Sequence, residues 1–143
     1  MEILSTPCFF NISNCIDNNV KKIIVNACDK KSCLEVLELV KKYDIVYGAL
    51  GFHPTEIRGY SDDEYNWLES HLTDDKVVAL GEIGYDFYHD DTTKEEQEVA
   101  FIKQINLAIK YNKPLSIKVF AVFIQASKLA DSDRLVSILK SLK

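Results

Sequence analysis

Short apolar segments rich in β-branched residues alternate with amphipathic segments along this chain, and this alternation limits the possible folds more than any other feature. Apolar runs at residues 22–27, 44–51, 76–83 and 115–123 predict four strands. Strands that are apolar on both faces and separated by helices imply a parallel sheet covered by helices. We therefore expect an α/β fold in which residues 1–143 form a single domain.

The segments between the predicted strands carry helix signals. Ser61 with Glu64, and Thr93 with Glu96, form capping boxes that predict where two helices begin. The second of these helices is long and ends before Pro114. Two further helices are predicted over residues 31–42 and 131–143. The side chains expected on the buried faces of the four helices are Cys33, Leu37 and Val40 with Leu34 beside them, then Tyr65, Leu68 and Leu72, then Val99, Ile102, Ile105 and Ile109, and finally Leu135, Leu139 and Leu142.

The charge and the cysteines narrow the function classes. The formal net charge is −5, and no basic stripe is visible, which weighs against a module that grips long nucleic acid by its phosphates. No apolar run is long enough to span a bilayer, and the first residues show no signal peptide, so we expect a cytoplasmic protein with no membrane partner. Cys8, Cys15, Cys28 and Cys33 do not match paired zinc-binding motifs. We expect them to be buried free thiols.

Functional groups of parallel α/β proteins gather after the C-terminal ends of the strands. Two such ends carry ionisable side chains beside glycines, at residues 51–57 and 81–88. Glu82 lies in an apolar stretch, where an unpaired carboxylate would cost several kcal/mol to bury, so it needs a partner. A metal site and a structural ion pair both remain open for Glu82. His53, which precedes Pro54, fits a hydrogen bonder within its loop.

The other ionisable residues near these strand ends have simpler explanations. His71 lies at a helix end and His89 in a polar loop, so both are expected to be surface residues. Asp86, Asp90 and Asp91 are expected to be solvated turn residues, of which only Asp86 is close to a strand end.

Three collinear segments resemble the TatD family of metal-dependent deoxyribonucleases. They are NNVKKIIVNACD (residues 18–29), YGALGFHPTEI (residues 47–57) and VVALGEIGYDFYHDDTTKEEQEVAFIKQINLAIKYNKPLSI (residues 77–117). The corresponding family motifs are a GVKKI strand, a GIHP loop, a GEIGLD strand end, a helix with Q…F..Q…A, and P…IH. The resemblance covers the N-terminal half of a family member, and residues 1–17 and 119–130 are atypical. It implies a partial, TIM-type (β/α) barrel.

The resemblance also implies a site with divalent metal ions (Mg or Mn, or Zn) that acts on DNA or oligonucleotides. The family's metal ligands include an H-x-H pair on the first strand, the glutamate of GEIG and a histidine that ends the fifth strand. Carried over to this chain, the glutamate is Glu82, and the fifth-strand position holds Lys118, whose ammonium has no lone pair for a metal. No histidine lies in the first ten residues. His53 matches a histidine that lines the family's substrate pocket, and no catalytic residue is assigned.

These departures predict that metal binding is impaired. The strands that carry Glu82 and Lys118 should be neighbours, so we expect the two side chains to approach each other and the ammonium to stand in for the metal. The function implied is a TatD-like hydrolase that is impaired or inactive as this chain. The alternative is a non-catalytic scaffold or interaction protein that self-associates through open sheet edges. A third option is a split barrel whose missing ligands come from another chain.

Overall fold

The computed structural model describes residues 12–89 and 91–120, and within them four strands alternate with helices. The elements are α1 (Ile12–Asp17), β1 (Ile23–Asn26), α2 (Lys30–Lys42), β2 (Val46–Leu50), α3 (Asp62–Ser70), β3 (Val77–Asp86), α4 (Lys94–Lys110) and β4 (Leu115–Phe120). The four predicted strands are confirmed, although β3 continues three residues beyond its predicted end and α1 was not predicted. The helix predicted over residues 131–143, the end of the fourth predicted strand and Cys8 lie outside the described residues.

The sheet is parallel, and its strand order β1-β2-β3-β4 follows the sequence. Strands that advance in one direction, joined by crossovers of one hand, place their helices on the same face of the sheet. The sheet therefore curls into a half-barrel with helices outside, as the TIM-type prediction required. Within this described part, Ile24 on the face opposite the helices is 59% exposed.

Helix α3 follows the sequence prediction closely. Ser61 caps it, with its hydroxyl accepting from the Asp63 amide and the Glu64 carboxylate reaching back to the Ser61 amide. Its expected face of Tyr65, Leu68 and Leu72 is buried. In α2 the expected Cys33, Leu37 and Val40 are also buried, whereas Leu34 is 50% exposed, because Val36 takes the core position beside them.

Helix α4 corrects part of the predicted stripe, of which Ile105 is buried as expected. The capping box at Thr93 and Glu96 is present, but Val99 and Ile109 are 55% and 58% exposed. The face that packs on the sheet is instead formed by Gln97, Ala100, Phe101, Gln104, Ile105 and Ala108. Polar glutamines hold core positions here, so the buried face is rotated away from the one that hydrophobicity alone indicates.

No helix among the described residues is long and apolar enough to cross a membrane.

Candidate functional site

The C-terminal edge of the sheet brings together four residues that the sequence analysis named. We call this edge the mouth and define it by Cys28, His53, Glu82 and Lys118. Cys28 follows β1, His53 follows β2, and Glu82 and Lys118 lie within β3 and β4. Parallel strands end at the same edge, so their following loops meet there.

Glu82 and Lys118 form an ion pair across β3 and β4. The distance from Glu82 Oε2 to Lys118 Nζ is 3.8 Å, and the two side chains are 25% and 42% exposed. The predicted approach of these two side chains is confirmed. A separation of 3.8 Å is too long for a hydrogen bond, so the contact is electrostatic and partly screened by solvent.

Glycines let the backbone around Glu82 take its position. A Cβ on Gly51 would stand 2.8 Å from the backbone of Gly81, so β2 and β3 can approach this closely only with glycine at Gly51. Beyond the β2–β3 ladder, the Glu82 amide donates to the carbonyl of Ala27, next to β1, at 2.8 Å. Gly81 therefore lies where the backbones of three strands come close together. These contacts fix the backbone position from which the Glu82 side chain extends.

His53 is buried in the loop after β2. Its amide donates to the Cys28 carbonyl at 2.7 Å, and its Nδ1 lies 2.8 Å from Thr55 Oγ1, which agrees with the expected hydrogen bonder within the loop. Nε2 is buried and makes no hydrogen bond to any other described residue. Burial lowers the pKa of His53, and the Lys118 ammonium lowers it further against the opposing effect of Glu82. The imidazole is therefore held neutral.

The cysteines depart from the expectation of buried thiols. Cys33 is buried, and burial raises its pKa to about 12. Cys15 is half-buried and Cys28 is exposed at the mouth. Partial desolvation raises the pKa of the Cys28 thiol, and the Glu82 carboxylate raises it further, so this thiol is protonated and weakly nucleophilic at neutral pH.

Asp86 corrects a second expectation, because it is buried rather than solvated. Its carboxylate accepts hydrogen bonds from the amides of Tyr88 and His89 and from His89 Nδ1 at 3.0 Å. Burial by itself raises the pKa of Asp86, but these hydrogen bonds outweigh burial and lower the pKa overall. Asp86 closes the turn after β3. His89 is exposed as expected, His71 is half-buried, and Asp90 lies outside the described residues.

The two glutamines of the Q…F..Q…A helix motif, to which the sequence assigned no role, hold the loops of the mouth. Gln104 Oε1 accepts from the Phe52 amide at 2.7 Å, and Gln104 Nε2 donates to the Phe52 carbonyl at 3.1 Å. Gln97 makes the same pair of bonds to the backbone of Asp86, at 3.0 and 2.8 Å. The available signal was this motif, which places two amides seven residues apart between the apolar core positions of one helix.

The described residues do not fit a divalent metal centre. They contain no group of three or more His, Cys, Asp or Glu side chains that could hold a metal ion, and a catalytic centre needs about three protein ligands. The ammonium of Lys118 lies beside the one carboxylate of the mouth and repels a cation.

Comparison with known proteins identifies the kind of barrel to which this half-barrel is similar. The family model described as TatD related DNase matches residues 10–132. The Bacillus subtilis (strain 168) protein YabD, described as an uncharacterized metal-dependent hydrolase, is 33% identical over 98 residues, which are 68% of this chain and 38% of YabD. The human 3'-5' RNA nuclease TATDN2 is 38% identical over 96 residues, which are 66% of this chain and 13% of TATDN2.

A solved structure supports the same relationship. The crystal structure of YjjV, a TatD homologue from Escherichia coli K12, superposes with a TM-score of 0.67 at 34% identity, covering 77% of this chain and 45% of YjjV. The chain thus spans less than half the length of each of these relatives.

Proposed function

This chain belongs to the TatD-related DNase family, and we propose that it is a phosphodiester-hydrolase scaffold whose own mouth has lost metal binding. The observation that carries the proposal is the Lys118 ammonium at 3.8 Å from Glu82. In the family the metals supply the positive charge that activates water and neutralises phosphate. Here the Lys118 ammonium supplies positive charge, but it cannot coordinate a water molecule as a metal ion does. Hydrolysis by this chain is therefore impaired.

The nucleic-acid substrate is part of the proposal. Its support is the similarity to a 3'-5' RNA nuclease and the match to a DNase family model. A phosphodiester that entered the mouth would meet the ammonium of Lys118 and the neutral ring of His53, which we propose as a pocket-lining residue. Glu82 would remain as the single inherited metal ligand.

Metal analysis of the purified protein is the direct test. After dialysis against manganese, magnesium or zinc, we expect far less than one bound metal ion per chain. Lys118→His restores the residue type of the family position, and we expect it to gain weak, Glu82-dependent manganese binding. Lys103→His is the matched control, because it places a histidine beside Asp62, which Lys103 contacts at 2.6 Å on the outer helices.

Nuclease assays complete this test. Single-stranded DNA and RNA oligonucleotides are incubated with magnesium or manganese, and we expect no turnover above that of a mock purification. Glu82→Gln should leave this background unchanged. One tightly held metal ion per wild-type chain, together with cleavage that Glu82→Gln abolishes, would refute the proposed impairment.

The second candidate function is a non-catalytic interaction protein. Its support is the sheet itself, since β1 and β4 each pair on one side only within the described residues, and Ile24 is 59% exposed on the face without helices. Open edges and exposed apolar side chains favour association. Size-exclusion chromatography with light scattering tests this candidate, and a stable monomer at high concentration argues against it.

A further inference from the structure

The mouth depends on a feature of α4 that its hydrophobic pattern does not explain. Strand β2 ends at Leu50, whereas β3 continues to Asp86, so the backbone of Phe52 and the far end of β3 lie beyond the β2–β3 ladder. Buried amide and carbonyl groups without partners are costly. Something other than a neighbouring strand has to satisfy these groups.

The side chains of Gln97 and Gln104 satisfy them. Each glutamine is 1% exposed, and each amide both accepts from the N–H and donates to the C=O of one residue. A carboxamide can do this because it carries an acceptor and donors side by side. The glutamines are seven residues apart, which is about two helical turns or roughly 10 Å along α4. One helix therefore reaches two different strand ends.

A threonine joins the two contacts. The Thr92 hydroxyl donates to the Pro54 carbonyl at 2.6 Å and accepts from Gln97 Nε2 at 3.1 Å. The loop after β2 is thus held at Phe52 by Gln104 and at Pro54 by Thr92. His53 lies between these two fixed points, and its own amide is bound to the Cys28 carbonyl.

We propose that Gln104, Gln97 and Thr92 are positioning residues that hold the His53 loop and the end of β3 in fixed relation across the mouth. They act through the backbone groups to which they are hydrogen-bonded. This inference concerns the same mouth as the proposed function. Its test uses neither metal binding nor turnover, so either proposal can fail without the other.

Gln104→Met is the first test, because methionine has a similar length but lacks both hydrogen-bonding groups. We expect hydrogen exchange of the Phe52 amide, measured by NMR, to accelerate on the order of tenfold or more. We also expect the ring resonances of His53 to move, while those of His71 and His89 stay in place. Unchanged His53 resonances would overturn the proposal.

Ile105→Val is the matched control, since Ile105 is buried on the same helix and contributes no hydrogen bond to either loop. It lowers global stability, which speeds exchange throughout the core, but it should leave the His53 resonances unchanged. Equal movement of the His53 resonances in Ile105→Val and Gln104→Met would show a general loss of packing and would also overturn the proposal.

Variants of Thr92 keep the test decisive if Gln104→Met fails to fold. Thr92→Val preserves shape and removes the hydroxyl, and Thr92→Ser preserves the hydroxyl. We expect the His53 resonances to move in Thr92→Val and to remain at their wild-type positions in Thr92→Ser. The same spectra from both variants would contradict the positioning role of the hydroxyl.

Discussion

The geometry of the Glu82–Lys118 ion pair determines how strongly the two charges should stabilise the fold. At 3.8 Å, two unit charges interact by about 4 kcal/mol at an effective dielectric constant of 20 and by about 1 kcal/mol in water. Lys118 is 42% exposed and makes no hydrogen bond to Glu82, so solvent screening places the coupling near the lower value. We expect a coupling free energy of roughly 0.5–1 kcal/mol at low salt.

A double-mutant cycle measures this coupling. The free energy of unfolding is determined by urea denaturation for the wild type, Glu82→Gln, Lys118→Met and the double variant. The coupling should fall as salt is added, because the pair is accessible to counterions. The pair of Lys103 with Asp62 is the surface reference. It is hydrogen-bonded at 2.6 Å but the Asp62 side chain is 83% exposed, so we expect a coupling of comparable size that salt also reduces.

Two results would refute this reasoning. A coupling of zero at low salt would mean that the two charges do not meet in solution. A coupling of several kcal/mol that salt does not change would mean that the pair is far more buried than its exposure indicates. Manganese provides an additional check, because a ligand that binds only the folded state raises stability. We expect manganese to leave the wild type unaffected and to stabilise Lys118→Met slightly.

Three further predictions concern the core, the β3–β4 contact and pH. Phe101 is 1% exposed and packs on the ring of Tyr85, so Phe101→Ala should lower the free energy of unfolding in urea by about 3–5 kcal/mol, and a loss below about 1 kcal/mol would contradict this packing. Gly84 has φ +140°, and a Cβ there would stand 2.0 Å from the Lys118 carbonyl oxygen. Gly84→Ala should therefore have a melting temperature well below that of the wild type in calorimetry, and an unchanged melting temperature would contradict the close contact. The pKa of His53 is lowered below its ordinary 6.5, so the unfolded state binds the proton more readily than the folded state. The free energy of unfolding should therefore be greatest above pH 6.5 and fall as the pH decreases from 6.5 toward the pKa of the folded state. Urea titrations should show that His53→Gln lacks this pH dependence.

The strands and helix starts could be predicted because their signals are local. A β-branched apolar run identifies β1, and the capping boxes at Ser61 and Thr93 locate the first turns of α3 and α4. The neighbouring position of Glu82 and Lys118 could be predicted as well. It requires only that consecutive parallel strands lie side by side, and this order is the most frequent one for such connections.

Hydropathy could not predict the face of α4, because that face depends on contacts with distant residues. The family motif Q…F..Q…A falls on its buried positions, which are Gln97, Phe101, Gln104 and Ala108. A periodic set of branched apolar residues made Val99 and Ile109 candidates for the core, yet both are more than half exposed. The positions taken by Gln97 and Gln104 are favourable only because backbone groups of Asp86 and Phe52 would otherwise be buried without partners. A hydropathy scale counts a buried glutamine as unfavourable. It does not count the buried backbone groups that the glutamine side chain satisfies by hydrogen bonding.

The same limit applies to Asp86 and points to how the mouth is organised. An aspartate just after a predicted strand indicates a solvated turn, but the burial of Asp86 is offset by hydrogen bonds from two amides and from His89. The buried polar groups around the mouth therefore satisfy backbone and loop atoms, whereas Glu82 and Lys118 are the pair that remains partly exposed. Because the loops are held by Gln97, Gln104 and Thr92 and not by the ion pair, exchanging Lys118 for another side chain changes the charge of the mouth without removing any bond that shapes it. This separation of shape from charge is the physical reason to expect Lys118→His to fold and to report on metal binding alone.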